Sequence, residues 1–137
     1  MKKKFIALIA AVILFSVCLS VPAFAWDVRA NPVISYTNAY ITDHGNGNIK
    51  ITFIVIAKDI CSTIGATQID LYTSDGAFKK TFYSSAYVTM LTHNCGSYTG
   101  DVDYPGNVGE TYYADVYFYA VCDGVTGTYT HTTSVGP

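Results

Sequence analysis

Apolar and polar residues alternate along most of the chain beyond Trp26 with a period of two, the spacing of a strand that buries one face. Over 48–58, Ile49, Ile51, Phe53, Val55 and Ala57 share one face, and Lys50, Thr52 and Lys58 the other. The cluster Asp43-His44-Gly45-Asn46-Gly47 precedes this strand, and its Asn-Gly pair suits the positive φ of a tight hairpin. Residues 33–41 are therefore its partner. The same reading predicts further strands over 66–73, 78–83, 97–104, 112–122 and 128–135, with Ser74-Asp75-Gly76 and Pro105-Gly106-Asn107 as turns. Seven short strands with no helical periodicity predict an all-β, antiparallel sandwich, because each sheet must bury its apolar face on another layer.

The first 25 residues break the pattern. Met1-Lys2-Lys3-Lys4 is basic, 5–19 is apolar, and Ala23-Phe24-Ala25 supplies the small residues of a secretory cleavage site. The apolar run sits near the lower limit of the roughly 17 to 25 residues that span a bilayer. The expectation is a signal peptide over 1–25 and a single secreted domain over 26–137, with no membrane attachment after cleavage. Cys18 follows Val17, where a lipoprotein signal wants a small residue, so a lipid anchor is not expected.

Cleavage changes the charge. Removing Lys2, Lys3 and Lys4 lowers Lys+Arg from 8 to 5 against 10 Asp+Glu, a formal charge of −5. Nucleic acid is excluded as a partner, since binding it needs a basic face.

All 12 tyrosines lie beyond the cleavage site. If Tyr112, Ala114, Val116, Phe118 and Ala120 point inward, then Tyr113, Asp115, Tyr117 and Tyr119 point outward, and the neighbouring strand adds Tyr72 beside Gln68 and Asp70. Phenols combine rigid apolar area with a polar tip and suit protein recognition. Rings with Asp and Gln also suit sugars, so the partner is a protein or a glycan. High strand propensity and cross-strand pairing explain the same row without function.

Catalytic sets are sparse. There is no G-x-S-x-G elbow, and Ser84-Ser85 lies in a turn-like stretch. Asp101 and Asp103 share a strand face about 7 Å apart, a distance compatible with glycoside hydrolysis. Lys50 on a neighbouring strand is expected to neutralise them. Asp43, Asn46 and Asn48 are hard oxygen ligands of the kind calcium takes, yet the loop lacks the repeated acids of a calcium site, and a simple turn is the better reading. No enzyme activity and no cofactor are expected.

Residues 109–120, Gly-Glu-Thr-Tyr-Tyr-Ala-Asp-Val-Tyr-Phe-Tyr-Ala, resemble the sixth strand of a fibronectin type III-like, immunoglobulin-like module. The resemblance implies a tyrosine corner at Tyr112, with the ring inside and the hydroxyl bonded to upstream backbone. The chain departs from that pattern in having its single tryptophan at Trp26 and no Trp-x-x-Pro in the second strand. The segments 43–49, 64–69, 90–94 and 109–116 also resemble uncharacterised small secreted β-sandwich proteins of Gram-positive bacteria.

The fibronectin-like strand order implies that Cys61, Cys95 and Cys122 gather at one pole. Three cysteines leave one over after a single bridge. A Cys61–Cys95 disulfide is preferred, because it joins the second strand to its sheet neighbour and leaves Cys122 a thiol. Cys61–Cys122, crossing between the sheets, is the alternative, and a fully reduced pole is a third. Adding His93 to Cys61, Cys95 and Cys122 gives a Cys3His zinc set, though without the C-x2-C spacing that usually nucleates one. A cysteine nucleophile would need His93 as base and Asp59 or Asp123 to orient it. His44 and His131 fall away from this pole.

Overall fold

The computed structural model describes residues 31–136, so the expected signal peptide lies outside the described residues. Its strands are β1 (Ile34–Asp43), β2 (Asn48–Cys61), β3 (Thr63–Thr73), β4 (Phe78–Tyr83), β5 (Leu91–Thr92), β6 (Cys95–Pro105), β7 (Tyr112–Cys122) and β8 (Val125–Thr132). Every pairing is antiparallel. One sheet runs β1-β2-β6 and the other β4-β3-β7-β8, with β5 added to one end of β3. Among the described residues no helix is long and apolar enough to cross a membrane.

The alternation decides which side of each strand is buried. In β2, Ile51, Phe53 and Val55 have no exposed surface, and in β7 the even-numbered residues from Tyr112 to Cys122 are all buried. The two faces meet where Phe53 packs edge-on against Phe118, ring centroids 6.1 Å apart. Such side chains contribute about 1.5 to 3 kcal/mol each by leaving water, so the sandwich is held chiefly from this middle layer.

The β1–β2 hairpin closes as the Asn-Gly pair predicts. Asn46 and Gly47 have φ of 56° and 80°, and the Asn48 amide donates to the Gly45 carbonyl at 3.0 Å. Asp43 is a turn residue, its Oδ1 accepting from the Gly45 amide at 2.7 Å.

The strand count and several bounds differ from expectation: β2 runs on to Cys61 rather than residue 58, β3 begins at Thr63 rather than residue 66, and the last strand ends at Thr132 rather than residue 135. The described residues form eight strands, not seven, because a 3-10 turn over Val88–Met90 buries Met90 and leads into the two-residue strand β5, which pairs with Ile64 and Gly65. Gly65 permits this close passage, since a Cβ there would collide with the Met90 carbonyl oxygen. The last strand begins at Val125 rather than residue 128. Asp123 and Gly124, with φ of 51° and 76°, close a two-residue hairpin in which Cys122 pairs with Val125.

Candidate functional site

The outer face of the β4-β3-β7-β8 sheet mixes aromatic and acidic side chains. β3 and β7 are its central strands, and their register sets Tyr72 opposite Tyr113, Asp70 opposite Asp115 and Gln68 opposite Tyr117. The rows continue outward to Phe78, Thr81 and Tyr83 on β4 and to Thr132, Thr130 and Thr128 on β8. The structure thus brings the sequence-selected Tyr72, Tyr113, Asp115, Tyr117 and Tyr119 onto one face, with Tyr119 at the end beside Gly65 and Thr128.

Packing on this face has a direction. Tyr72 and Tyr113 stack with centroids 5.1 Å apart and planes 14° apart, and Phe78 meets Tyr72 edge-on at 5.8 Å. Rings that stack on each other stand up from the sheet and offer edges and hydroxyl tips to a partner. Burial raises the pKa of the Tyr72 and Tyr117 hydroxyls, and the charges of Asp70 and Asp115 raise them further. Both hydroxyls therefore remain protonated donors at neutral pH.

The carboxylates lie in the middle. Asp70 is 8% exposed, and its two oxygens accept from Thr81 Oγ1 at 2.6 Å and Gln68 Nε2 at 2.8 Å. Asp115 Oδ1 accepts from Thr132 Oγ1 at 2.5 Å. These neutral donors hold the carboxylates in place, and among the described residues neither forms an ion pair. The two lysines of β4 are engaged elsewhere: Lys79 pairs with Glu110 at 3.0 Å, and Lys80 lies over the Phe82 and Tyr87 rings.

Thr81, Thr132, Phe78 and Tyr83 belong to this face but were not singled out by the sequence. Their signal was present, since each occupies an alternate position of a strand, but only the cross-strand register shows which rows they join.

The acidic pair Asp101 and Asp103 shares a lysine. Lys50 bridges Asp101 at 3.3 Å and Asp103 at 3.4 Å, as the strand pairing predicts.

At the cysteine pole the preferred pairing is corrected: Cys61 is bonded to Cys122, and Cys95 is the free thiol. The expected adjacency of Cys61 and Cys95 holds, since they are register partners of β2 and β6. The bridge nevertheless runs across the sandwich, because Cys61 ends the inward row of β2 and Cys122 ends that of β7, leaving 0% and 7% of their surface exposed. Bonded sulfurs cannot ligate zinc through thiolates, which removes the set Cys61, His93, Cys95 and Cys122. Among the described residues no group of three His, Cys, Asp or Glu side chains could hold a metal ion. His93 is turned to the β2–β3 corner, where its Nδ1 donates to the Ser62 carbonyl at 3.0 Å and lies 3.3 Å from Thr63 Oγ1.

Compared with known proteins, the chain matches no family model, no curated sequence and no solved structure.

Proposed function

We propose that this chain is an exported, non-catalytic binding module that receives a protein partner on the outer face of β4-β3-β7-β8. The observation that carries the reading is the placement of the Tyr72–Tyr113 pair on one side and Tyr117 on the other side of the cross-strand pair Asp70 and Asp115. Such an arrangement supplies rigid aromatic contact at small entropic cost, and its central negative charge fits a lysine or arginine side chain brought by the partner. Standing rings favour a protein over a sugar, because a sugar stacks on an open ring face and the faces of Tyr72 and Tyr113 are turned on each other.

The fibronectin type III-like reading is part of the proposal. The order β1-β2-β6 against β4-β3-β7-β8 and the buried Tyr112 support it, and a disulfide suits an oxidising compartment outside the cell.

The test compares the secreted protein with Tyr113→Ser/Tyr117→Ser and with Tyr36→Ser/Tyr40→Ser, the latter on the opposite sheet, in cross-linking to cell-surface proteins and on a glycan array. Saturable cross-linking lost only with the first pair is expected. Retention of binding by that pair would refute the face, and array signal without cross-linking would transfer the function to sugars.

A further inference from the structure

The three sulfurs at the pole form a connected set rather than a bridge with a bystander. Cys61 is bonded to Cys122 and is also the register partner of Cys95. Antiparallel partners have Cα atoms about 4.5 to 5.5 Å apart, inside the roughly 4.4 to 6.8 Å that disulfides span. Register partners project to the same side of the sheet, and Cys95 indeed packs against the buried core to which Cys61 belongs. Cys61 therefore has two cysteines within bonding reach, one in each sheet.

We propose that Cys95 exchanges into the bridge, so that the protein alternates between a Cys61–Cys122 link joining the two sheets and a Cys61–Cys95 link within one sheet. The Cys95 thiol gives its proton to solvent and its thiolate attacks Cys61 Sγ. The Cys61–Cys122 bond breaks as the new one forms, and Cys122 leaves as a thiolate that takes up a proton. One disulfide and one thiol are present before and after, so no oxidant or reductant is consumed.

The two forms differ in what they tie down. In the first, β2 is fastened to the end of β7 just before the Asp123-Gly124 hairpin. In the second, that end is held only by its hydrogen bonds, and a thiol stands at position 122, on a groove lined by Pro32, Val33, Lys58, Asp59, Asp123 and Val125. The exchange is independent of the aromatic face and turns the pole into a switch between a state locked across the two sheets, its thiol at Cys95, and an open one that presents Cys122.

The experiment incubates the oxidised protein at several pH values, quenches it in acid, and alkylates free thiols in denaturant before non-reducing peptide mapping. Label at Cys122 is expected to appear with a rate that climbs about tenfold per pH unit below the thiol's pKa, as thiolate attack requires. That rate should not change with protein concentration. Cys95→Ser should remove the Cys122 label, and Cys122→Ser, oxidised by glutathione disulfide, should carry a Cys61–Cys95 bridge. Label confined to Cys95 at every pH, label at Cys122 in Cys95→Ser, a rate proportional to concentration, or a Cys122→Ser protein with two free thiols would each overturn the proposal. Wild-type mapping alone decides the case should either variant fail to fold.

Discussion

The Tyr112 hydroxyl donates to Glu110 Oε2 at 2.5 Å, and the hydroxyl oxygen accepts from the Asn107 backbone amide at 3.0 Å. A side chain with no exposed surface is thereby tied to the turn that precedes its own strand. Removing the hydroxyl takes away the acceptor of the Asn107 amide and a donor to the Glu110 carboxylate. Tyr112→Phe should cost about 1 to 3 kcal/mol in urea denaturation. Tyr113→Phe, half-buried on the outer face, should change stability little, and equal losses would contradict the inward register.

Glu110 shows the other end of that bond. Hydrogen bonds from Tyr112, Lys79 and Asn107 lower its pKa from the ordinary 4.5 to about 2. A depressed carboxylate contributes stability that is complete above its unfolded pKa and is lost as pH falls through the folded one. Thermal midpoints should therefore drop between about pH 4.5 and 2. In Glu110→Gln that segment of the profile should flatten, and an unchanged acid limb would assign the loss to other groups.

Gly106 makes room for the same ring. A Cβ at this position would collide with the Tyr112 hydroxyl and the Gly47 carbonyl oxygen. Gly106→Ala should destabilise by about 1 to 3 kcal/mol, the usual cost of overpacking, as read from the urea midpoint. Wild-type stability would mean that the 105–111 turn yields easily.

The inter-sheet bridge closes a loop with a sequence separation of 61. The chain-entropy relation gives about 4 kcal/mol for a loop of that length. Reduction of Cys95→Ser, where re-pairing to Cys95 is impossible, should lower stability by about this amount in matched denaturation curves. A loss near zero would show that the pole is held by its strand pairing alone.

How much of this could be read in advance varied with how local the signal was. β4 and β7 match the expected bounds, because in β7 strict alternation leaves one arrangement that buries Ala114, Val116 and Phe118 together. The Asn46-Gly47 hairpin is equally local. Asp123-Gly124 carries the same kind of signal, and giving it the same weight would have started the last strand at Val125. β5 offers only two residues and exists because Met90 fills a hole made by distant strands. The bridge falls between these cases: adjacency within a sheet favoured Cys61–Cys95, whereas following the inward row of β7 from Ala120 by two residues places Cys122 in the layer of Cys61. For the candidate face, alternation identified the tyrosines, but the Asp70–Asp115 pairing depends on a register no single strand encodes.

Lys80 bears on the open edge of the sheet at β4. It pairs with Leu71, whose side chain is fully buried, so it stands on the core side of the edge strand β4 with its ammonium over the Phe82 and Tyr87 rings. A second molecule adding a strand along this edge would enclose that ammonium between two sheets, away from water. The cost of dehydrating it opposes continued sheet growth, as inward charges on edge strands do elsewhere. The border of the ring-bearing sheet is thereby made a poor place for a further strand.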